Sequence, residues 1–385
     1  MSRRMLVIGC YGCGNRGDDA ILQGICSLFS EWQITAFNGA LEDVSEYLPV
    51  RTVSCRMNEG ISFSVMCSLI RQFFPLVREV YRTDIVVYGG GSLIHDLTPY
   101  NLLFQFFWAW LARIFKKRVY FFSIGVGPIR TKIGKRLCRY NLSKSDGVFV
   151  RDRRGLEICR EAGVRKVKMT ADAAFVIYRQ SGCRTDVLRD MNVGNGEYIC
   201  VTACQWFHSE NFWERDQMDF SGEKENLAQC IMKIYNEFHK PLLFVPTEAK
   251  DITLGRQLKE RMPEVDFRLC PDSWNADRMA AIIENSYLLI GMRMHSIIMA
   301  ARQGVPFVAI VYDEKVHQLL KMLHMEQYEI DLALVRPEKL LHLVKNIQAE
   351  YLVIQEKLMT EAETFMRQVE ESAMSVEREI AEDIK

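Results

Sequence analysis

The chain keeps returning to one unit: a short β-branched or apolar run, often a glycine-bearing turn, then a helical pattern. In the first half the runs are RMLVIG, WQITAF, DIVVYG, VYFFSIG and DGVFVR; in the second they are EYICVTA, PLLFVP, VDFRLC, YLLIGM and PFVAIV. Two sets of alternating β and α units predict two doubly wound Rossmann-like α/β domains, each on a parallel sheet. The polar stretch Tyr178–Glu197 reads as the linking loop. It sets an N-terminal domain over 1–180 and a second domain over 190–335. In such folds ligands sit beyond the carboxyl ends of the strands, and with two domains the expected site is the cleft they face. The remainder, 336–385, carries apolar residues from Leu340 to Ile380 at spacings that mostly alternate between four and three. That predicts a long C-terminal helix crossing back over the N-terminal domain, or a homo-oligomer seam as the alternative.

Composition narrows the function classes. Of 385 residues 49% are hydrophobic, and 49 bases balance 49 acids, which argues against a general nucleic-acid binder. The 12 cysteines are scattered, and Cys26, Cys67, Cys200 and Cys230 sit inside apolar runs, as reduced thiols of a cytoplasmic protein do. Cys10 and Cys13 form one C-x-x-C with no second pair, and no metal-ligand constellation is present. The apolar run after Arg3 and Arg4 is too short for a signal peptide, and none approaches the roughly 20 residues of a membrane span. The charges are nevertheless polarised. From Leu97 to Ser145 there is no Asp or Glu, and the stretch holds ten bases beside LLFQFFWAWLARIF. An apolar aromatic helix flanked by bases suits an anionic membrane surface, which would make the protein peripheral on the inner face of the membrane. A buried helix followed by a solvated basic face is the other reading.

Three glycine turns follow strands in the first half: GCYGCGNRGDD, YGGGSLIHD and SIGVGPI. The first satisfies G-x-G-x-x-G through Gly12, Gly14 and Gly17, but its chemistry opposes a dinucleotide. Asp18 and Asp19 occupy the first helical turn, where they would cap the helix and repel a pyrophosphate. The acid expected about 20 residues later is replaced by Asn38. The loop suits hydroxyl groups, which carboxylates orient and deprotonate. Gly14, Asn15, Gly90, Gly91 and Ser92 are the candidate residues for binding a hydroxyl-bearing ligand, with Asp18 and Asp19 as candidate bases.

The second half carries the opposite charge. In YLLIGMRMHSIIMAARQGVP, Arg293 and His295 fall in the turn between a strand and a helix, where a guanidinium and helix amides make an anion site. His295 there suits proton transfer. Asp313, Lys315 and His317 follow the next strand.

YGCGNRGDDAIL, GGGSLIHD, SIGVGP, VRDRRG, TADAAF and GMRMHSIIMAARQGVPFVAIVYDEKV occur in the order found in the polysaccharide pyruvyl transferase family, and from about Val7 to His317 the chain resembles it. The resemblance implies a GT-B-like fold. It implies transfer of pyruvate from phosphoenolpyruvate to two hydroxyls of a sugar, as a ketal on a cell-surface polysaccharide precursor, often a polyprenyl-diphosphate-linked one. No cofactor beyond that co-substrate is implied. By the same motif Arg293 and the Met294 amide would hold the donor phosphate and His295 would act in proton transfer; Lys315 is a further candidate donor-binding residue, with Arg151 and Arg153 as the other cations that could make good a missing contact. The sequence departs at VTACQW, where Cys204 stands in the place of a family Arg, at His95 in the place of Gln, and at Ala173 in the place of Pro. Loss of a charged contact to phosphate costs roughly 1.5–3 kcal/mol where nothing replaces it. A nucleotide-sugar glycosyltransferase on the same scaffold, or a non-catalytic scaffold in envelope polysaccharide assembly, are the alternatives.

Overall fold

The computed structural model describes residues 3–39, 42–54, 63–97, 101–177, 183–204 and 222–382, excluding the side chains of 63–72 and 223. The chain divides into two units, Met1–Tyr178 with Phe365–Lys385, and Arg179–Thr364.

The first unit is built on seven parallel strands: β1 (Arg4–Tyr11), β2 (Gln33–Asn38), β3 (Arg51–Ser54), β4 (Ile85–Gly89), β5 (Arg118–Ile124), β6 (Gly147–Val150) and β7 (Val167–Met169). Their order is β3-β2-β1-β4-β5-β6-β7. The helices are α1 (Arg16–Leu28), α2 (Phe63–Arg82), α3 (Asn101–Ile114), α4 (Lys132–Ser143) and α5 (Arg153–Glu161). The second unit has six strands: β8 (Ile199–Thr202), β9 (Leu242–Phe244), β10 (Phe267–Leu269), β11 (Leu288–Gly291), β12 (Phe307–Val311) and β13 (Glu329–Asp331). They are ordered β10-β9-β8-β11-β12-β13, again all parallel. Its helices are α6 (Cys183–Met191), α7 (Glu223–Phe238), α8 (Asp251–Arg261), α9 (Ala276–Glu284), α10 (Met294–Arg302), α11 (Glu314–Met322) and α12 (Pro337–Ala349). Every residue of β4, β6, β8, β9 and β11 is buried, so helices must cover both sheet faces. The order reverses between β1 and β4 and between β8 and β11, and those two switch points are where a ligand crevice can open.

Two sequence expectations need correction. The stretch read as a linking loop contains α6, because Val187 and Met191, four apart, are buried. The short strands β3, β7 and β13 were not anticipated; each is a sheet edge of three or four mixed residues with too little apolar pattern to register.

The C-terminal stripe forms two helices, α12 and α13 (Tyr351–Glu382), broken at Glu350. Of the stripe residues between Leu340 and Ile380 all but Tyr351 are buried within the chain. α13 serves both units. Up to Thr364 it belongs to the second, where a Cβ on Gly304 would lie 2.8 Å from the Gln355 carbonyl. From Phe365 it belongs to the first. There Phe365 meets the Phe175 ring at 5.1 Å, Ser372 Oγ donates to Thr170 Oγ1, and Arg118 donates to the Glu379 carbonyl. Burying Phe365, Val369, Val376 and Ile380 contributes roughly 6–12 kcal/mol before entropy is subtracted. That is comparable with the whole stability of a domain, so the segment is integral to the first unit.

α1 lies directly on the Ala173–Val176 turn, and Gly24 makes this possible: a Cβ there would come 2.0 Å from the Ala173 carbonyl oxygen. Gly24→Ala is therefore expected to lower unfolding free energy by about 1–3 kcal/mol in denaturant titration. A loss under about 0.5 kcal/mol would show that α1 has room to move.

Candidate functional site

The first switch point is organised by a buried arginine. Gly12 and Gly14 take positive φ (63° and 76°), which turns the chain sharply out of β1. Asn15 then caps α1 by accepting from Gly17 N at 3.1 Å, and its amide donates to Asp18 at 2.9 Å. Asn15, and not an aspartate, is thus the cap. Asp19 turns back, accepting from Gly12 N at 3.0 Å and from the Tyr47 hydroxyl at 3.1 Å. Arg16, 1% exposed, donates to Asp19 and through both terminal nitrogens to Glu42. Burial raises the Asp19 carboxyl to about 6 against the pull of Gly12 N and Arg16.

Asp18 and Asp19 therefore part company. Asp19 is fully enclosed and its oxygens are engaged, so it braces the loop and cannot reach an acceptor. Asp18 is partly exposed and faces Gly91 at the end of β4: a Cβ on Gly91 would lie 3.1 Å from its Oδ1. Gly90 and Gly91 have φ of 64° and 67°, and the exposed Ser92 accepts from Arg151 at 3.2 Å. Arg151 in turn pairs with Asp172 of TADAAF at 2.7 Å. The first unit thus gathers Gly14, Asn15, Asp18, Gly90, Gly91 and Ser92 around one switch point. His95 lies in the same turn, accepting from Leu97 N at 3.3 Å, and burial lowers its pKa.

The second switch point has its own charged cluster, closed around the buried Asp251. Arg293 ends the turn after β11 and precedes α10, a helix without a side-chain cap. Its Nε and Nη2 donate to Asp251 at 3.2 and 2.6 Å, and its Nη1 donates to Glu248 at 2.6 Å. Three of its five N–H groups are thereby held, and the guanidinium is shared with two carboxylates before any ligand arrives. Asp251 is fully enclosed, and burial holds its carboxyl above the usual range despite Arg293. Burial also raises Glu248, but Arg293 and Lys250 outweigh it and leave that carboxyl below the usual range. Ser296 donates to the Arg293 carbonyl at 2.6 Å, so Thr202 at the end of β8 donates to Ser296 of α10 at 2.8 Å.

Cys204 is buried here at the end of β8, and Arg293, Asp251, Glu248 and Lys315 all act on it electrostatically. Burial pushes its thiol up to about 11, so it is neutral at neutral pH and adds no cation in place of an arginine. Lys315 stands in the first turn of α11, 3.5 Å from Asp313 and 5.9 Å from the Tyr312 ring centre. Met294 is buried and His295 half-buried in the first turn of α10. His317 is drawn elsewhere, to Glu329 at 2.8 Å. Glu248 and Asp251 escaped the sequence reading because they lie 45 and 42 positions from Arg293. The buried role of Arg16 escaped it because the glycines around it carried the motif.

Among the described residues no group of three or more potential metal ligands is present. No described helix is long and apolar enough to cross a membrane. Cys26, Cys200 and Cys230 are buried free thiols, and Cys67 lies outside the described side chains.

The polysaccharide pyruvyl transferase family model matches residues 50–314. The amylovoran biosynthesis protein AmsJ of Erwinia amylovora is 22% identical, over 92% of this chain and 94% of that protein. Among solved structures, Anabaena Alr3699/HepE in complex with UDP and glucose superposes with TM-score 0.58 at 12% identity, covering 99% of both chains. The UDP-GlcNAc 2-epimerase of Neisseria meningitidis bound to UDP-GlcNAc gives 0.60 at 12% identity, over 99% of this chain and 100% of the other. The E. coli ADP-heptose LPS heptosyltransferase II gives 0.51 at 12% identity, over 90% and 99%. At these identities the structures show a shared GT-B-like fold and nothing finer.

Asp19 gives a pH signature. Its folded pKa lies above the unfolded value of 3.8, so the fold binds a proton more tightly and gains stability as pH falls through that window. The stability of the native protein minus that of Asp19→Asn is expected to grow by on the order of 3 kcal/mol at most between about pH 6 and pH 4. A flat difference in paired thermal melts would show that Asp19 is not held in a desolvated site.

Proposed function

The chain belongs to the polysaccharide pyruvyl transferase family, and from that premise we propose that it moves pyruvate from phosphoenolpyruvate onto two hydroxyls of a sugar. The product is a cyclic ketal on a cell-surface polysaccharide precursor. The protein is a transferase with a role in polysaccharide synthesis; the donor, the acceptor and the ketal form the proposal. The observation that carries it is the turn after β11, where Arg293, Met294 and His295 meet the uncapped start of α10 at a switch point, with Lys315 on the neighbouring turn. Backbone amides and cations so placed suit a phosphate ester. Arg293 would give the phosphate its remaining N–H groups while Asp251 and Glu248 keep it in place. Lys315 supplies charge where Cys204 supplies none.

His295 would protonate the methylene carbon of the donor, developing positive charge at the carbon that bears the phosphate. One sugar hydroxyl adds to that carbon and its proton passes to Asp18. The second hydroxyl attacks the same carbon as the bond to phosphate oxygen breaks. Its proton returns to His295, inorganic phosphate leaves, and Asp18 gives its proton to solvent. Gly14, Asn15, Gly90, Gly91 and Ser92 would bind the acceptor, where Gly90 and Gly91 allow close approach of backbone and Ser92 exposes a hydroxyl. The acceptor is proposed to be polyprenyl-diphosphate-linked. No cofactor enters this scheme.

Pure protein given phosphoenolpyruvate and a lipid-linked or synthetic sugar acceptor is expected to release phosphate in step with a product that gains pyruvate mass. Phosphate release without that product would overturn transfer. His295→Ala should lower kcat about 100-fold or more, as loss of a proton-transfer group does; an unaffected variant removes that role. Lys315→Ala should raise KM for the donor about tenfold with kcat little changed. The two acids on Arg293 and the neutral thiol at Cys204 leave this site less cationic than the trianionic phosphoenolpyruvate favours, and the less highly charged diphosphate of a nucleotide sugar is the second reading. Thermal stabilisation by nucleotide sugars, and none by phosphoenolpyruvate, would establish it.

A further inference from the structure

The outer side of α2, α3 and α4 is apolar, aromatic and cationic in one continuous run. α3 is two-faced. Leu102, Phe106, Trp108 and Ala109 are buried in the core, while Leu103, Trp110 and Ile114 are about half exposed on its other side. Neighbouring α2 leaves Phe74 70% and Tyr81 64% exposed. Aromatic rings link the two helices. Phe73 lies 6.0 Å from Phe74 and 6.1 Å from Phe107, whose ring is 6.0 Å from Trp110. Tyr81 packs edge-on to Phe115 at 5.4 Å. Large apolar side chains gathered this way on a water-facing surface mark an interaction site.

Cations form the margin. Lys117 sits 5.7 Å over the Tyr81 ring, and Arg113 and Lys144 lie 6.0 and 4.5 Å from the ring centre of Tyr140. Beyond Tyr140 a shallow pocket of about 530 Å³ is lined by Arg136, Arg139, Lys144, Arg165 and Lys166, with no acid among its walls. The stretch from Leu97 to Ser145 holds no acid at all. The acids that flank it are both engaged by backbone, Asp96 accepting from Arg130 N and Thr131 N at 2.7 to 3.0 Å and Asp146 from Val119 N at 2.8 Å, while α2 carries Glu79. A second copy of the chain could cover the apolar part, but a two-fold contact sets a patch against itself and would bring like-charged margins together.

We propose that this face docks the first unit on an anionic lipid bilayer. Phe74, Leu103 and Trp110 enter the boundary between headgroups and acyl chains, and the Arg136–Lys144 margin meets the phosphates. Aromatic rings at that depth and bases above it are the arrangement an interfacial surface needs. The proposal is independent of the reaction the enzyme performs.

The full chain is to be floated with vesicles of phosphatidylcholine alone and of phosphatidylcholine with phosphatidylglycerol. Binding is expected to the anionic vesicles only, and to weaken about tenfold or more in roughly 0.5 M salt. Brominated acyl chains should quench Trp110, and Trp110→Phe should lose that quenching. The triple variant R136E/R139E/K144E should stay in the soluble fraction. The pair F74S/L103S should weaken binding even at low salt, with an unchanged thermal midpoint to show that the fold is intact. Turnover of a water-soluble acceptor should be unaltered in both variants. Equal recovery with and without anionic lipid would overturn the proposal, as would equal binding to neutral vesicles or binding that survives charge reversal. Lipid-free dimerisation abolished by F74S/L103S would assign the face to a second copy instead.

Discussion

A parallel sheet with apolar side chains on both faces cannot be wetted on either, and the rest of this protein follows from that constraint. Its strands must be joined by crossovers, the crossovers must be helices, and helices then cover the faces where β4, β8 and β11 are wholly buried. Only the strand ends remain for chemistry. At the carboxyl ends of β1 and β8 the chain leaves in one direction, and at those of β4 and β11 it leaves in the other, so two crevices are a product of topology. Both units fasten this place in the same way. An arginine at the start of the following helix is tied to two carboxylates, the buried Arg16 to Asp19 and Glu42 and the largely enclosed Arg293 to Asp251 and Glu248. Removing one partner of a buried pair leaves a charge without water, at about 3–5 kcal/mol. Such clusters hold a loop in one position better than they add net stability.

The two loops differ in what the cluster leaves over. In the first unit Asn15 caps α1 and Asp19 returns to Gly12 N, so carboxylates fill the place an anion would take. Their remaining offer is the partly exposed Asp18 beside Gly91 and Ser92. In the second unit α10 begins without a side-chain cap, and the surrounding charge is nearly balanced by acids that neutralise Arg293 in advance.

The sequence showed the regular parts because they obey a local period. Runs such as DIVVYG and YLLIGM declare strands by being apolar throughout, and Leu340 to Ile380 declares helix by its spacing. The edge strands β3, β7 and β13 were hidden because an edge needs few apolar residues. α6 was hidden because Val187 and Met191 alone carry its apolar face. Asp18 and Asp19 are adjacent acids in sequence, and only the path of the chain sends one into the interior. No spacing links Glu248 or Asp251 to Arg293, since they come from a different strand end and were brought together by the sheet order.

α13 has a consequence for how the chain is made. The residues that cover the first unit along Thr170, Phe175 and Arg118 are drawn from Phe365–Lys385, and a ribosome reaches them only after all of Arg179–Thr364 has been synthesised. The unit that emerges first is therefore the last to be completed. During translation its β7 side stays uncovered and open to chaperones, while the second unit, which holds its own α12 and the start of α13, closes ahead of it.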